Sequence, residues 1–382
     1  MRPGAGEVSR IPDRNPGRHH RRHAFNGPRR SRRPDDMAFA PLFAKGARRA
    51  AVALALAAPL LAAATLGGAQ DARAAEKASL RLKWLPQAQF AGFYVAKAKG
   101  FYEAEGIDLT INPGGPNLNA EALVASGADT FGLTGGVESH LAAVDKGMPL
   151  VAIGVSHQKT PYAFVTKPDS GIKTLADFKG KKVSTWYTGA QYTLKAMLAT
   201  GGVGEGDFTL MPQSVSLNPF IDGEVDVATA TLYNELNTLK SRGLTDLVLF
   251  QPDDFGITVQ RDTLVTTTDT VKDKPALVQG FLAATLKGWK YALEHKAEAI
   301  DIMMKADPGM DRKHQEAMIE AIQDVMVYGK GASDGLLAID FDSLQKQHDI
   351  LLANGVMKAP VDLKAAFDPS FWDKVPAEDK KL

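Results

Sequence analysis

Trp84, Gln87, Gln89 and Phe90 stand close together in the stretch Leu80–Gly115. Two flat apolar faces and two amides suit a planar ligand with hydrogen-bonding edges. Trp84 and Phe90 read equally well as core residues. A second group is Tyr233-Asn234-Glu235. Tyr233 offers a stacking face, Asn234 a donor and an acceptor, and Glu235 a partner for an amino- or amidine-substituted ring. The plain alternative is a polar helix start with an acid favoured by the helix dipole. A third group is the turn Tyr187-Thr188-Gly189-Ala190-Gln191-Tyr192. It precedes a helix, so Gly189 permits close approach and free backbone N–H groups can hold an acceptor or anion. Thr134-Gly135-Gly136 with Glu138 is the equivalent turn earlier in the chain. Asp253-Asp254 suggests either a ligand contact beside a hinge, through Asp254, or a solvated turn.

Other chemistries find no footing. No two histidines lie at metal-ligand spacing, so no metal site is expected. His157, at the exit of an apolar run, reads more readily as structural. Ser139-His140 lacks the strand–turn–helix context of a nucleophile. Gly114-Gly115-Pro116 has no following Lys-Ser/Thr and is not a phosphate loop. The chain has no cysteine, which removes disulfides, thiolate ligands, cysteine nucleophiles and lipid attachment through cysteine. No cofactor and no catalytic constellation is implied, and a binding protein rather than an enzyme is expected.

The elements that must position these residues follow from periodicity. Leu80, Leu82 and Trp84 alternate as in a strand, Phe90, Phe93, Tyr94 and Ala98 lie on one helical face, and Ile107–Ile111 is a second strand. This strand–helix–strand unit builds a parallel sheet, where ligands bind beyond the carboxyl ends of the strands. Strands at Thr130–Leu133, Leu150–Val155 and Ala163–Lys167 continue the α/β alternation. After Pro168–Gly171 the pattern restarts, with strands at Lys182–Trp186, Phe208–Met211, Val225–Thr229 and Leu247–Phe250. From Pro275 onward the character is helical. We expect an α/β protein of two lobes, each a mainly parallel sheet flanked by helices. The first lobe is residues 78–166 and 258–382, with a helical C-terminal part; the second is 167–257. Two crossings, near Thr166 and Ile257, form a two-segment hinge, and a ligand between the lobes is enclosed on closure.

The 382 residues are 45% hydrophobic, enough for one large or two medium domains. Residues 1–74 hold 14 basic and 5 acidic side chains, leaving 31 basic and 39 acidic in 75–382, a net of −8. So acidic a body is a poor nucleic-acid binder. Residues 1–36 contain ten arginines and few apolar groups and read as a disordered basic extension, which a misassigned start codon would explain. From Met37, a positive region (Lys45, Arg48, Arg49), the apolar Ala50–Leu66 and Ala72-Arg73-Ala74 follow the order of an export signal spanning 37–74. A retained membrane anchor is disfavoured, because the apolar run is interrupted by Pro59 and short of the ~20 residues a span needs.

Several motifs together resemble a known family. Lys83-Trp84-Leu85-Pro86-Gln87-Ala88-Gln89-Phe90-Ala91-Gly92, Gly100-Phe101-Tyr102, Pro113-Gly114-Gly115-Pro116 and Leu175-Ala176-Asp177-Phe178-Lys179-Gly180-Lys181-Lys182-Val183 look like the substrate-binding proteins of ABC importers. Within these the chain is most similar to the thiamine-pyrimidine-precursor-synthase-like group, over about residues 78–350. The resemblance implies a type II periplasmic binding fold, a membrane permease as partner, a monomer and a periplasmic location. Members bind formylated aminopyrimidine precursors of thiamine, and one relative binds riboflavin. By analogy a ring would stack on Trp84, Tyr187 or Tyr233 with polar contacts from Asn234 and Glu235. Nitrate, taurine and alkyl-sulfonate binders share the fold and are the alternative. A pyrimidine synthase in the same family depends on a cysteine-rich motif, which disfavours that activity in a chain without cysteine. Amino-terminal sequencing of the exported protein is expected to begin at or near Ala75; a mature chain that retains Met1–Asp36 contradicts the leader.

Overall fold

The computed structural model describes residues 75–187 and 189–382. The basic extension, the export signal and Thr188 lie outside the described residues. Ten strands appear in chain order: β1 (Glu76–Arg81), β2 (Ile107–Asn112), β3 (Phe131–Leu133), β4 (Leu150–His157), β5 (Tyr162–Thr166), β6 (Lys182–Thr185), β7 (Thr209–Pro212), β8 (Val227–Thr231), β9 (Val248–Phe250) and β10 (Arg261–Thr267). They form two five-stranded sheets, ordered β2-β1-β3-β10-β4 and β7-β6-β8-β5-β9. Both are mixed. β1 runs parallel to β2 and β3, whereas β10 is antiparallel to β3 and β4. β6 runs parallel to β7 and β8, whereas β5 is antiparallel to β8 and β9. Helices flank both sheets, which is the α/β architecture of two lobes.

Three features differ from the sequence reading. Each sheet has two parallel and two antiparallel pairings and is not mainly parallel, because β10 and β5 run against both of their neighbours. Tyr162–Thr166 belongs to the second sheet, so the first crossing is Gln158–Pro161 and not Thr166. The strand is buried along its whole length, and an unbroken apolar run does not reveal which sheet it joins. The strand at the return is also longer than the β-like Leu264–Thr267. It begins at Arg261 and lies between β3 and β4 inside the first sheet. Its opening Arg261-Asp262-Thr263 is polar yet buried, which hides the strand from any reading of hydrophobic pattern.

The helical C-terminal part packs on the first sheet. Helix Pro275–Glu294 carries proline at its first position, where a missing N–H costs nothing. It buries Phe281, stacked 3.7 Å from Phe131, and Trp289, edge-on to Phe93 at 5.8 Å. Helix Arg312–Met326 begins at Asp311, whose carboxylate accepts from the His314 N–H at 3.2 Å, and helix Phe341–Ala353 begins at Asp340, which caps it likewise. At the end of the chain Phe371 is buried, and the Trp372 indole N–H donates to the Leu336 carbonyl at 2.8 Å.

Helices Ala91–Ala98 and Pro275–Glu294 cross at glycines. A Cβ at Gly288 would run into the Gly92 carbonyl oxygen and Ala96, and one at Gly92 would enter the Trp289 indole. In an open helix Gly→Ala adds up to ~1 kcal/mol of helix propensity. Here the contact is with backbone, and overpacking of this kind costs about 1–3 kcal/mol. Gly288→Ala is therefore expected to lower the urea midpoint; an unchanged or raised midpoint would show that the crossing has room.

Candidate functional site

Past Arg81 the chain leaves β1 and bends through Leu82–Gln87. This loop is held from behind. The Gly114 N–H donates to the Trp84 carbonyl at 2.9 Å, and a Cβ on Gly114 would strike the Leu82 and Lys83 backbone. Only glycine allows that approach, so Pro113-Gly114-Gly115-Pro116 acts as a brace. A 3-10 turn, Ala88–Phe90, follows. Gln87 donates to Gln89 Oε1 at 2.6 Å, Gln89 donates to Asp262 Oδ2 at 2.6 Å, and Gln315 Oε1 accepts from the Ala88 N–H at 2.7 Å.

From the other lobe, Trp186 follows β6 and Tyr233-Asn234-Glu235 follows β8. The lobes meet here: Trp84 and Trp186 are edge to face, with centroids 5.9 Å apart at 68°. Tyr233 is buried, edge-on to His157 at 5.8 Å. Glu235 accepts from the Thr231 N–H at 3.0 Å, from the Thr231 hydroxyl, and from the Asn234 amide at 2.8 Å. Asn234 Oδ1 lies 2.7 Å from His314 Nε2, on helix Arg312–Met326 of the first lobe. Between these groups is a cavity of about 410 Å³, open solvent at its mouth included. Trp84, Tyr162, Trp186 and Tyr233 supply its aromatic walls. Gln87, Gln89, Thr231, Asn234 and Glu235 supply hydrogen-bonding groups, and Lys83 and Arg261 supply charge.

Both cations are paired. Lys83 contacts Asp262 and Arg261 contacts Glu138, with both carboxylates 1% exposed. Arg261 also lies over the Tyr162 ring at 4.8 Å. Burial works against the guanidinium, but Glu138, Tyr162 and Asp262 outweigh it and hold Arg261 above its ordinary range. Burial likewise opposes the Asp262 carboxylate; His157, Lys83 and Gln89 overcome it, and its pKa stays below the usual value. His157 is pushed down to about 4 by burial, although Asp262 pulls the other way. Burial pushes the Glu235 carboxyl up, partly offset by the Thr231 hydrogen bonds. Such a cavity can stack a ring, bond its polar edge and leave little net charge to attract an anion.

Of the residues singled out from sequence, the structure brings Trp84, Gln87, Gln89, Tyr233, Asn234 and Glu235 to this cavity. The others lie elsewhere. Phe90 is fully buried in the first lobe's core, the helical period having placed it inward. Glu138 sits behind Arg261 and does not line the cavity, and Gly135 is buried in the same turn. Tyr187 is 49% exposed and lines a separate hollow with Gly189, Glu121 and Lys146. The turn there closes on itself: the Gly189 N–H donates to Gln191 Oε1 at 2.9 Å, and Gln191 Nε2 donates to the Tyr187 carbonyl at 3.2 Å. The Gly189 N–H is thus spent internally. Asp254 is exposed on the 3-10 turn Pro252–Phe255, away from the cavity. Sequence reasoning missed Lys83, Tyr162, Trp186, Thr231 and Arg261. One signal existed: the strand alternation through β6 turns Trp186 inward when Tyr187 points out.

The sequence matches the NMT1/THI5-like family over residues 87–299. It is 27% identical to the riboflavin-binding protein RibY of Chloroflexus aurantiacus, across 78% of this chain and 86% of that one. It is 26% identical to the formylaminopyrimidine-binding protein of Halalkalibacterium halodurans, across 83% and 97%. Among solved structures, the alkanesulfonate-binding protein SsuA of Xanthomonas axonopodis pv. citri, bound to MOPS, superposes with a TM-score of 0.58 at 17% identity, covering 77% of this chain and 99% of that one. A Candida albicans protein with the generic periplasmic binding protein fold superposes equally, at 0.58 and 16% identity, covering 77% and 96%. With its two lobes, paired crossings and interlobe cavity, the chain belongs to the NMT1/THI5-like family and has the periplasmic binding protein fold.

Proposed function

We propose that this protein is the exported solute-binding component of an ABC importer, and that it takes a planar heterocycle of the formylaminopyrimidine or riboflavin type. The observation that carries the reading is the cavity wall. Aromatic faces from both lobes surround a hydrogen-bonding edge made by Thr231, Asn234 and Glu235. Closing two lobes around a ring buries both faces and leaves the polar edge to set orientation. Glu235, with its pKa raised by burial, suits a ring bearing an amino or amidine edge, with which it can share a proton. The relatives' named ligands are of this kind.

A sulfonate reading has one observation in its favour: Lys83 and Arg261 both reach the cavity. Each already has a buried carboxylate partner, so an anion would meet a site with its charge satisfied. Isothermal titration against a formylaminopyrimidine, riboflavin and taurine separates the two. Trp84→Ala is expected to weaken heterocycle binding at least about tenfold, ~1.4 kcal/mol, and Glu235→Gln to weaken an amino-substituted ring more than riboflavin. Tight taurine binding that ignores both substitutions would overturn the heterocycle reading.

A further inference from the structure

Glu138 lies next to the cavity without lining it, and its setting is unusual. Its Oε1 contacts the Arg261 guanidinium. The same oxygen would stand 2.8 Å from a Cβ on Gly189, at the start of helix Ala190–Thr200 in the opposite lobe. Its Oε2 is buried without a hydrogen-bond partner among the described residues. A Cβ on Gly136 would collide with that second oxygen. The carboxylate is thus packed between two glycines, one from each lobe, beside a cation that faces the cavity.

We propose that Glu138 is a specificity residue: it acts as an internal counter-anion that neutralises Arg261 and so excludes sulfonates and similar compact anions from the cleft. This deepens the heterocycle reading and rests on it. The physical basis is discrimination by occupying the competitor's partner. Arg261 is 3% exposed and always charged. Without Glu138 it would be a nearly dry cation at a cavity wall, which attracts any anion small enough to enter. The start of the facing helix, with its positive dipole end, would add to that attraction. Asp262 does the same for Lys83, so both cations must be cancelled for the cavity to prefer a neutral or cationic ring.

The test uses Glu138→Gln, which keeps the shape and removes the charge, and Glu138→Ala, which also opens space. Methanesulfonate and taurine are the probes, by isothermal titration and by thermal melting in chloride-free buffer. The wild type is expected to bind neither in the millimolar range. Both variants should gain at least tenfold in affinity, and their melting temperatures should rise with methanesulfonate while that of Glu138→Gln/Arg261→Gln does not. If a variant fails to fold without anion, recovery of its folded circular-dichroism spectrum on adding methanesulfonate is the same positive result. Variants that remain indifferent to methanesulfonate, folded or unfolded, overturn the role of Glu138 and leave the heterocycle reading standing. Tight sulfonate binding by the wild type overturns both.

Discussion

Two largely buried cations at the wall of the cleft must be compensated from within the protein, because an unpaired buried charge is too costly to keep. That constraint organises the centre of this molecule. Arg261 and Asp262, adjacent at the start of β10, take part in the two compensating pairs with Glu138 and Lys83. β10 is the strand that returns from the second lobe and inserts between β3 and β4. Asp262 holds a left-handed backbone, φ 56°, costly for a residue other than glycine. Its bonds to Lys83 and Gln89 keep it there. The charge network therefore fixes the return crossing and, through Lys83 and Gln89, the loop that carries Trp84.

Around that centre, the cavity lining is shared between lobes. Trp84 and the glutamines come from the first lobe; Tyr162, Trp186 and the Thr231–Glu235 segment come from the second. The C-terminal helix Arg312–Met326 supports both sides, through Gln315 to the Ala88 backbone and His314 to Asn234. This helix thereby steadies the polar edge of the cavity. Each cavity wall is incomplete without the other lobe.

The α/β alternation was legible in the sequence, because apolar runs such as Leu150–Val155 and the helical face of Phe90, Phe93 and Tyr94 follow simple periods. Half of the cavity was legible for a related reason: Trp84, Gln87, Tyr233, Asn234 and Glu235 stand just beyond strand ends, where such sheets bind ligands. The rest was hidden by interactions across long sequence distances. Nothing local says that Tyr162–Thr166 pairs with the second sheet, or that Glu138 would meet Arg261 across 123 residues. Tyr187 belongs to the glycine turn, but its neighbour Trp186 is the aromatic that lines the cavity, because adjacent strand residues face opposite sides. Gly135 and Gly189 line no part of this cavity, and Gly189 makes room for a buried carboxylate.

The most direct measurement is mass spectrometry of the molecule released from the protein after purification without denaturation. A neutral or cationic ultraviolet-absorbing heterocycle, displaced when Trp84 is replaced, is the expected result. An aliphatic sulfonate or another compact anion, recovered in stoichiometric amount, would contradict it.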